Sequence, residues 1–542
     1  MSIKVFLAKE IITLDTNCPV ATAVAVKDER VLHVGTFEEV KEALRDQEFE
    51  IDDRFGNDVI VPGFIEAHGH MLSDGALGQF VWTGFDDRVR PDGSLAKGCK
   101  SVQDVVERLR ESVSEAEKPL VGFGFDPTFH DGRPLRREDL DQVSQSQGVF
   151  VVNASGHLAY ANSAHMKNRG VTAATEAKGL IKDANGEPTG EFHETAMTLI
   201  FDEKDLAGEN LEKTVRDGTA LLRQAGVTTG SEMAFYAAGE SFEKVSNLVN
   251  DSSCPVRITF SPFVNEMKAH LGIDGLLARL HELRDLSTER FTLGPVKFVA
   301  DGSIQGFTGK LKWPGYCGGE DHGFLIMNEE AVVEQLTPIH RAGFQAAIHT
   351  NGDEASEVVI RSIERIVEAH PRPDHRHRLE HAQMVSRSML KRMARIGIGA
   401  NLFSNHVYYW GDTHRTKTMG PDKARRMDAA ATALAEGVAI SIHSDHPVTP
   451  VSPLFTMWCA VNRRTRSGFE LGAGERLTPL QALTAMTLGS AFLMKRDDML
   501  GSIEVGKWAD FTVLAQNPLT VEPMKIKDIE VRCTVLGGVA TS

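Results

Sequence analysis

Residues 59–70 read VIVPGFIEAHGH: an apolar run, a Pro-Gly break, a second short apolar step, and then two histidines one residue apart. In an extended chain successive side chains alternate faces, so His68 and His70 point the same way, with Glu66 one step behind. Seven further short runs follow: GVTTGSEM (226–233), PVRITFSPFV (255–264), PVKFVADGS (295–303), FQAAIHTNGD (344–353), HRLEHAQMV (377–385), GIGANLFSNH (397–406) and VAISIHSDHP (438–447). Helix-like segments separate them, the alternation that builds a parallel sheet. Eight such units predict an α/β fold, a (β/α)8 TIM barrel over residues 59–495.

A plain barrel takes about 250 residues, so this span requires large insertions. The main one, residues 76–210, lies between the first and second strands. It carries strands of its own (PLVGFGFD, GVFVVNAS), a helix (SVQDVVERLRESVSEAE) and the polar turns HDGRPL and DANGEPTG. Because it leaves the C-terminal end of the first strand, where these barrels hold their active sites, it is expected to form a cap. Residues 1–58 and 496–542 alternate β-like runs with turns, as in KVFLA and GSIEVGKWADFTVLA. They predict one small β-sandwich made from both termini.

The chain has 542 residues, 42% of them apolar and 25% charged, enough for a large buried core. With 59 Lys and Arg against 75 Asp and Glu, the formal charge is −16. That balance repels phosphate backbones and anionic membrane surfaces, so nucleic acid and membrane are not expected partners. Six single cysteines show no C-x-x-C pair and read as reduced thiols. The start MSIKVFLAKEIITLDT lacks an apolar signal core, and no stretch approaches the roughly 18–20 apolar residues of a membrane span. The expected location is cytoplasmic. The basic run HRTKTMGPDKARRMD reads as a solvated helix face.

The unusual feature is the placement of ionisable groups within apolar runs. An H-x-H pair alone is weak evidence for a metal. Lys297 in PVKFVADG, His349 in AAIHTNGD, His381 in RLEHAQ and Asp445 in SIHSDHP recur in the same way along four later strands. Such groups need a partner to offset their desolvation, and a shared cation provides one. Imidazole and carboxylate together suit zinc.

These positions, together with VPGFIEAHGH, GFGFDP, ASGHLAYANS, GEPTGEFHE, VKFVADGS, AIHTNGDEA, RLEHAQ, HVYYWGD, SDHPVTP and GSIEVGKWADF, resemble the amidohydrolase superfamily, within it the subgroup that contains N-substituted formamide deformylase. The resemblance covers nearly the whole chain. It implies a metal held by His68, His70 and Asp445, with His349 and His381 on a second ion or shared between roles, and one or two zinc ions in all. Lys297 is then either a carbamate bridging two ions or a plain lysine paired with Asp445 or Asp301.

Zinc brings the pKa of coordinated water from about 15.7 toward about 7. The resemblance makes Asp445 the general base and later proton donor to the leaving amine. His157, in ASGHLAYANS, is the candidate oxyanion contact, or else an ordinary loop histidine. Trp82, Trp313, Tyr316, Tyr408, Tyr409 and Trp410 fall in loops after predicted strands. Trp82, Trp313, Tyr408 and Trp410 are candidates to line an apolar substrate pocket; the alternative is that such aromatics pack the cap onto the barrel. The expected activity is hydrolysis of a non-peptide C–N bond in a small molecule, a linear amide such as an N-substituted formamide or N-acyl amine with an apolar or aryl group. The alternatives are a deaminase, a cyclic amidase or lactonase, or a metal-binding barrel without turnover. The family resemblance also implies a homodimer.

Overall fold

The computed structural model describes residues 2–114, 118–201, 210–239, 241–318 and 322–541. Eight short strands form the barrel: β1 (Phe64–Ile65), β2 (Val227–Phe235), β3 (Arg257–Pro262), β4 (Val296–Val299), β5 (Ala346–Thr350), β6 (Arg378–His381), β7 (Gly399–Leu402) and β8 (Ile440–Ile442). β1, β2 and β3 pair in parallel, as do β4 through β8 in order. Two seams close the ring. A parallel bridge joins Phe263, just after β3, to Lys297 on β4. The N–H of His70, after β1, donates to the carbonyl of His446, after β8, at 2.7 Å.

Both faces of these strands are covered, which is why they read as continuous apolar runs rather than as alternating ones. Outside them, the helix Asp353–Ala369 buries Val359, Ile360, Ile363 and Ile366, the spacing of one helical stripe. Each such side chain contributes about 1.5–3 kcal/mol on full burial. Among the described residues no helix is long and apolar enough to cross a membrane.

The run 59–70 is divided differently from the expectation. Val59–Pro62 end a long strand, Phe49–Pro62, that pairs antiparallel with Phe511–Leu514 and parallel with Ile3–Ile12. The barrel begins only at Phe64. The boundary thus falls at Gly63, where a Cβ would lie 2.0 Å from the Thr228 hydroxyl, so the chain can cross from one sheet to the other only without a side chain. Strands from both termini form one continuous seven-stranded sheet. Val31 and Val535, from opposite ends of its strand order, share a core with Phe6 and Phe511, so the sheet folds over on itself as a sandwich.

Between β1 and β2, a six-stranded sheet runs in the order Leu180–Lys182, Pro188–His193, Leu158–Ala161, Val149–Asn153, Leu120–Phe125, Val81–Trp82. One face packs on Val105, Leu109 and Leu140, the other on Met166, Met197 and Ile200. Residues 115–117 and 202–209 of the insertion lie outside the described residues. The cap is clasped to the barrel by polar contacts. Trp410 Nε1 donates to Asp126 Oδ2 at 2.8 Å, and Arg466 grips both oxygens of Asp86 at 2.7 and 2.6 Å.

Three buried histidines brace the sequence just before β6. His377 Nδ1 accepts from the Ala346 N–H (2.9 Å), and its Nε2 meets His340 Nδ1 at 2.8 Å. His340 Nε2 donates to the His370 carbonyl, and His375 Nε2 to that of Ile396. This pattern assigns each ring one proton, so a second would break a bond. Burial lowers all three, His375 to about 4 and His377 well below its ordinary value. Between pH 6.5 and 4 the unfolded chain therefore binds more protons than the folded one, and stability falls as pH drops. We expect a lower melting temperature at pH 5 than at pH 7, and a smaller loss in His375→Gln by up to one proton's slope, about 1.4 kcal/mol per pH unit. Equal losses in thermal melts of the two proteins would contradict this.

Candidate active site

His68 and His70 follow β1 and Asp445 follows β8, and their ligand atoms lie within 4.8 Å of one another. His68 Nε2 is 3.3 Å and His70 Nε2 3.6 Å from Asp445 Oδ1; His381 Nδ1 is 3.7 Å from Asp445 Oδ2. The other nitrogen of each β1 imidazole is committed. His70 Nδ1 donates to the Met233 carbonyl at 2.9 Å, and His68 Nδ1 hydrogen-bonds Glu380. Both Nε2 atoms thus face a carboxylate oxygen, an arrangement in which a cation placed among them would be met by two imidazole lone pairs and an anion. His381 Nδ1 is also buried without a hydrogen bond.

The protonation states agree with a ligand set. Burial lowers His70 to about 3 and takes His349 and His381 well below the ordinary histidine value, so all three are neutral near pH 7. Burial alone would raise Asp445, but His68, His70 and His443 hold it well below the usual carboxylate range. The donor set fits a divalent ion of the zinc type.

Backbone geometry explains how neighbours in sequence serve one site. His381 and Asp445 have φ of +63° and +53°, a left-handed conformation rarely adopted by these residues. At His381 the turn re-aims the side chain, so Glu380 and His381, which would alternate in a regular strand, both reach the centre. Glu380 is held by Arg378 Nε at 2.5 Å and Asn401 Nδ2 at 2.8 Å, and Ser441 Oγ orients Asn401 at 2.7 Å. Arg378 in turn donates to the Ala67 carbonyl beside His68 (2.9 Å). Burial would raise Glu380, but Arg378, His68 and Lys297 push it far below the usual range, so it stays ionised.

Lys297 is buried on β4, and burial lowers it to about 8 against the pull of Glu380 and Asp445. Asp301 is occupied by the backbone N–H groups of Asn351 (3.0 Å), Gly352 (2.8 Å) and Lys310 (2.8 Å). His349, on β5, donates from Nε2 to the Gly302 carbonyl at 3.2 Å, with its ring 4.6 Å from that of His381. His157 reaches the same place from the cap, its ring 5.0 Å from His349 and its Nδ1 2.9 Å from Glu194 Oε2. Burial opposes its protonation, but Glu194 more than offsets this and raises it.

The aromatic candidates are spread out. Trp313 is 86% exposed, and Trp410 is buried against the cap through Asp126. Tyr408 packs on Phe455 and Trp458, and Trp82 lies in the cap sheet, its ring beside Phe123. Phe403 packs beside the cluster, its ring 6.0 Å from that of His381. Sequence reasoning missed Glu380, Arg378, Glu194 and His443. His443 is fully buried with both ring nitrogens unpartnered, 4.7 Å from the His68 ring. An Arg-x-Glu pair inside an apolar strand was the available signal, since two such charges on one face must be paired.

Residues 56–541 match the model of the amidohydrolase family. The chain is 28% identical over 97% of its length to Protein LONG AFTER FAR-RED 3 of Arabidopsis thaliana, covering 89% of that protein. It is 27% identical over 97% of its length to N-substituted formamide deformylase of Arthrobacter pascens, covering 96% of that protein. The fold superposes on an uncharacterized metal-dependent hydrolase from Pyrococcus horikoshii OT3 with a TM-score of 0.73 at 20% identity, over 96% of this chain and 99% of that one.

Removing one member of the Arg378–Glu380 pair leaves a buried charge uncompensated. Arg378→Met is expected to cost about 3–5 kcal/mol of stability in urea unfolding. A loss below about 1 kcal/mol, the range of an exposed pair, would contradict the role given to Glu380.

Proposed function

The chain belongs to the amidohydrolase family, enzymes that hydrolyse C–N bonds, and from that premise we propose a metal-dependent hydrolase of linear amides, N-substituted formamides or N-acyl amines with an apolar or aryl group. The observation that carries the metal is the convergence of the His68 and His70 lone pairs on the Asp445 carboxylate. The linear amide is supported by the full-length likeness to a formamide deformylase, and the apolar group by Phe403 beside His381.

His68, His70 and Asp445 would hold the first ion, and His349 and His381 would contribute to a second or share it. When bound, zinc lowers the pKa of water and polarises a carbonyl. Asp445, ionised at neutral pH, accepts the proton of the attacking water and later delivers it to the departing amine. His157, held by Glu194, faces the centre from the cap and donates to the carbonyl oxygen as charge develops there. Lys297 acts as a carbamate: its neutral amine attacks CO2, a C–N bond forms and a proton leaves to solvent. This replaces a buried ammonium, unfavourable beside a dication, with an anion.

Protein purified without chelator is expected to contain one or two zinc equivalents by elemental analysis; metal-free protein from metal-replete cells would contradict the reading. In a panel of aryl-alkyl formamides, N-acetyl amines, hydantoins and aminopurines, we expect amine release from the first two classes. Ammonia release from aminopurines would indicate a deaminase instead. Asp445→Asn should keep much of its zinc and lose about 10²–10⁴-fold in kcat. Lys297→Ala should lose metal and activity and regain part of both with a short carboxylic acid; unchanged zinc content would exclude a bridge.

A further inference from the structure

Beside the ligands lies a second, fully packed set of charges that the chemistry does not use. Gly69, between His68 and His70, has no room for a side chain: a Cβ there would lie 2.1 Å from Nε2 of His446. The His446 ring therefore packs directly against the ligand-bearing backbone, and its own carbonyl accepts the His70 N–H at 2.7 Å. His446 Nδ1 meets Asp74 Oδ2 at 3.0 Å. Asp74 opens onto the same segment, its N–H donating to the His70 carbonyl at 2.9 Å. Its other oxygen, Oδ1, accepts from Arg88 Nη2 at 2.6 Å, and Arg88 Nη1 donates to the Pro447 carbonyl at 2.9 Å. The contacts form a closed ring around residues 446–447, and all three side chains are buried.

Arg88 belongs to the cap, in a short strand paired with Leu95–Ala96. A cap residue thus fixes both chain segments that carry His68, His70 and Asp445, without touching any ligand atom. We propose that Arg88, Asp74 and His446 are positioning residues that couple seating of the cap to the spacing of the metal ligands. This rests on the metal-site reading above. Imidazole ligands misplaced by a few tenths of an ångström bind zinc less tightly, and loss of a group that holds a ligand typically lowers affinity 10–100-fold.

The test measures zinc affinity by competition with a chromophoric chelator, and ligand geometry by the visible spectrum of the cobalt(II)-substituted protein. Arg88→Met and Asp74→Ala are expected to weaken zinc about 10–100-fold and to change the cobalt spectrum. Arg88→Lys, which keeps the charge, should recover part of both and carries the test where Arg88→Met does not fold. Arg466→Met, which cuts a comparable clasp away from the ligands, should leave affinity and spectrum unchanged. Wild-type affinity and spectrum in the Arg88 and Asp74 variants, or an equal loss in Arg466→Met, would overturn the coupling. Failure of the wild-type protein to bind zinc would overturn the metal-site reading itself.

Discussion

Two imidazole lone pairs aimed at one carboxylate are the constraint on which the rest of the structure depends. His68 and His70 donate hydrogen bonds from Nδ1 to Glu380 and to the Met233 carbonyl, and both Nε2 atoms then face Asp445. Such an arrangement is costly as a packed polar cluster and favourable as a ligand shell. Burial keeps His70, His349 and His381 neutral, and the imidazoles packed around Asp445 hold it below the usual carboxylate range, the protonation states a divalent ion would meet.

The barrel supplies this geometry by ending its strands early. β1 stops at Ile65, three residues before His68, and β8 stops at Ile442, three residues before Asp445. His68, His70 and Asp445 therefore lie on backbone that is free to leave the strand conformation, as the positive φ at Asp445 records, while at His381 the positive φ falls on the last residue of β6. The strain is held by what surrounds it: the Glu380–Arg378 pair beneath, and the Arg88–Asp74–His446 ring beside. The terminal sheet does not contribute a ligand, but its strand Phe49–Pro62 delivers the chain to β1 through Gly63.

Much of this was legible before any coordinates. Eight apolar runs, each ending in polar residues, identify the barrel strands because parallel strands are buried on both faces, and the ionisable residues at their ends mark the site. The boundary at Gly63 was not legible, since VIV and FI are equally apolar and only the sheet partners separate them. Glu380 was hidden by its neighbour: strict alternation places it opposite His381, and only the left-handed turn brings both inward. For the aromatics the sequence left two readings open, pocket lining and packing of the cap. Trp410 and Tyr408 lie not in a loop but on the helix His406–Thr413 that follows β7, where Trp410 is taken up by Asp126 and Tyr408 by Phe455, because a cap also needs large side chains to dock on. His446, Asp74 and Arg88 are distant in sequence, and no spacing rule connects them.

Zinc K-edge X-ray absorption on the zinc-replete protein addresses the central claim most directly. Zinc held by these side chains should show nitrogen and oxygen scatterers at about 2.0–2.1 Å, with the outer-shell pattern of at least two imidazoles, and lose one imidazole's contribution in His70→Ala. A spectrum of water oxygens alone, or one that His70→Ala leaves unchanged, would contradict it.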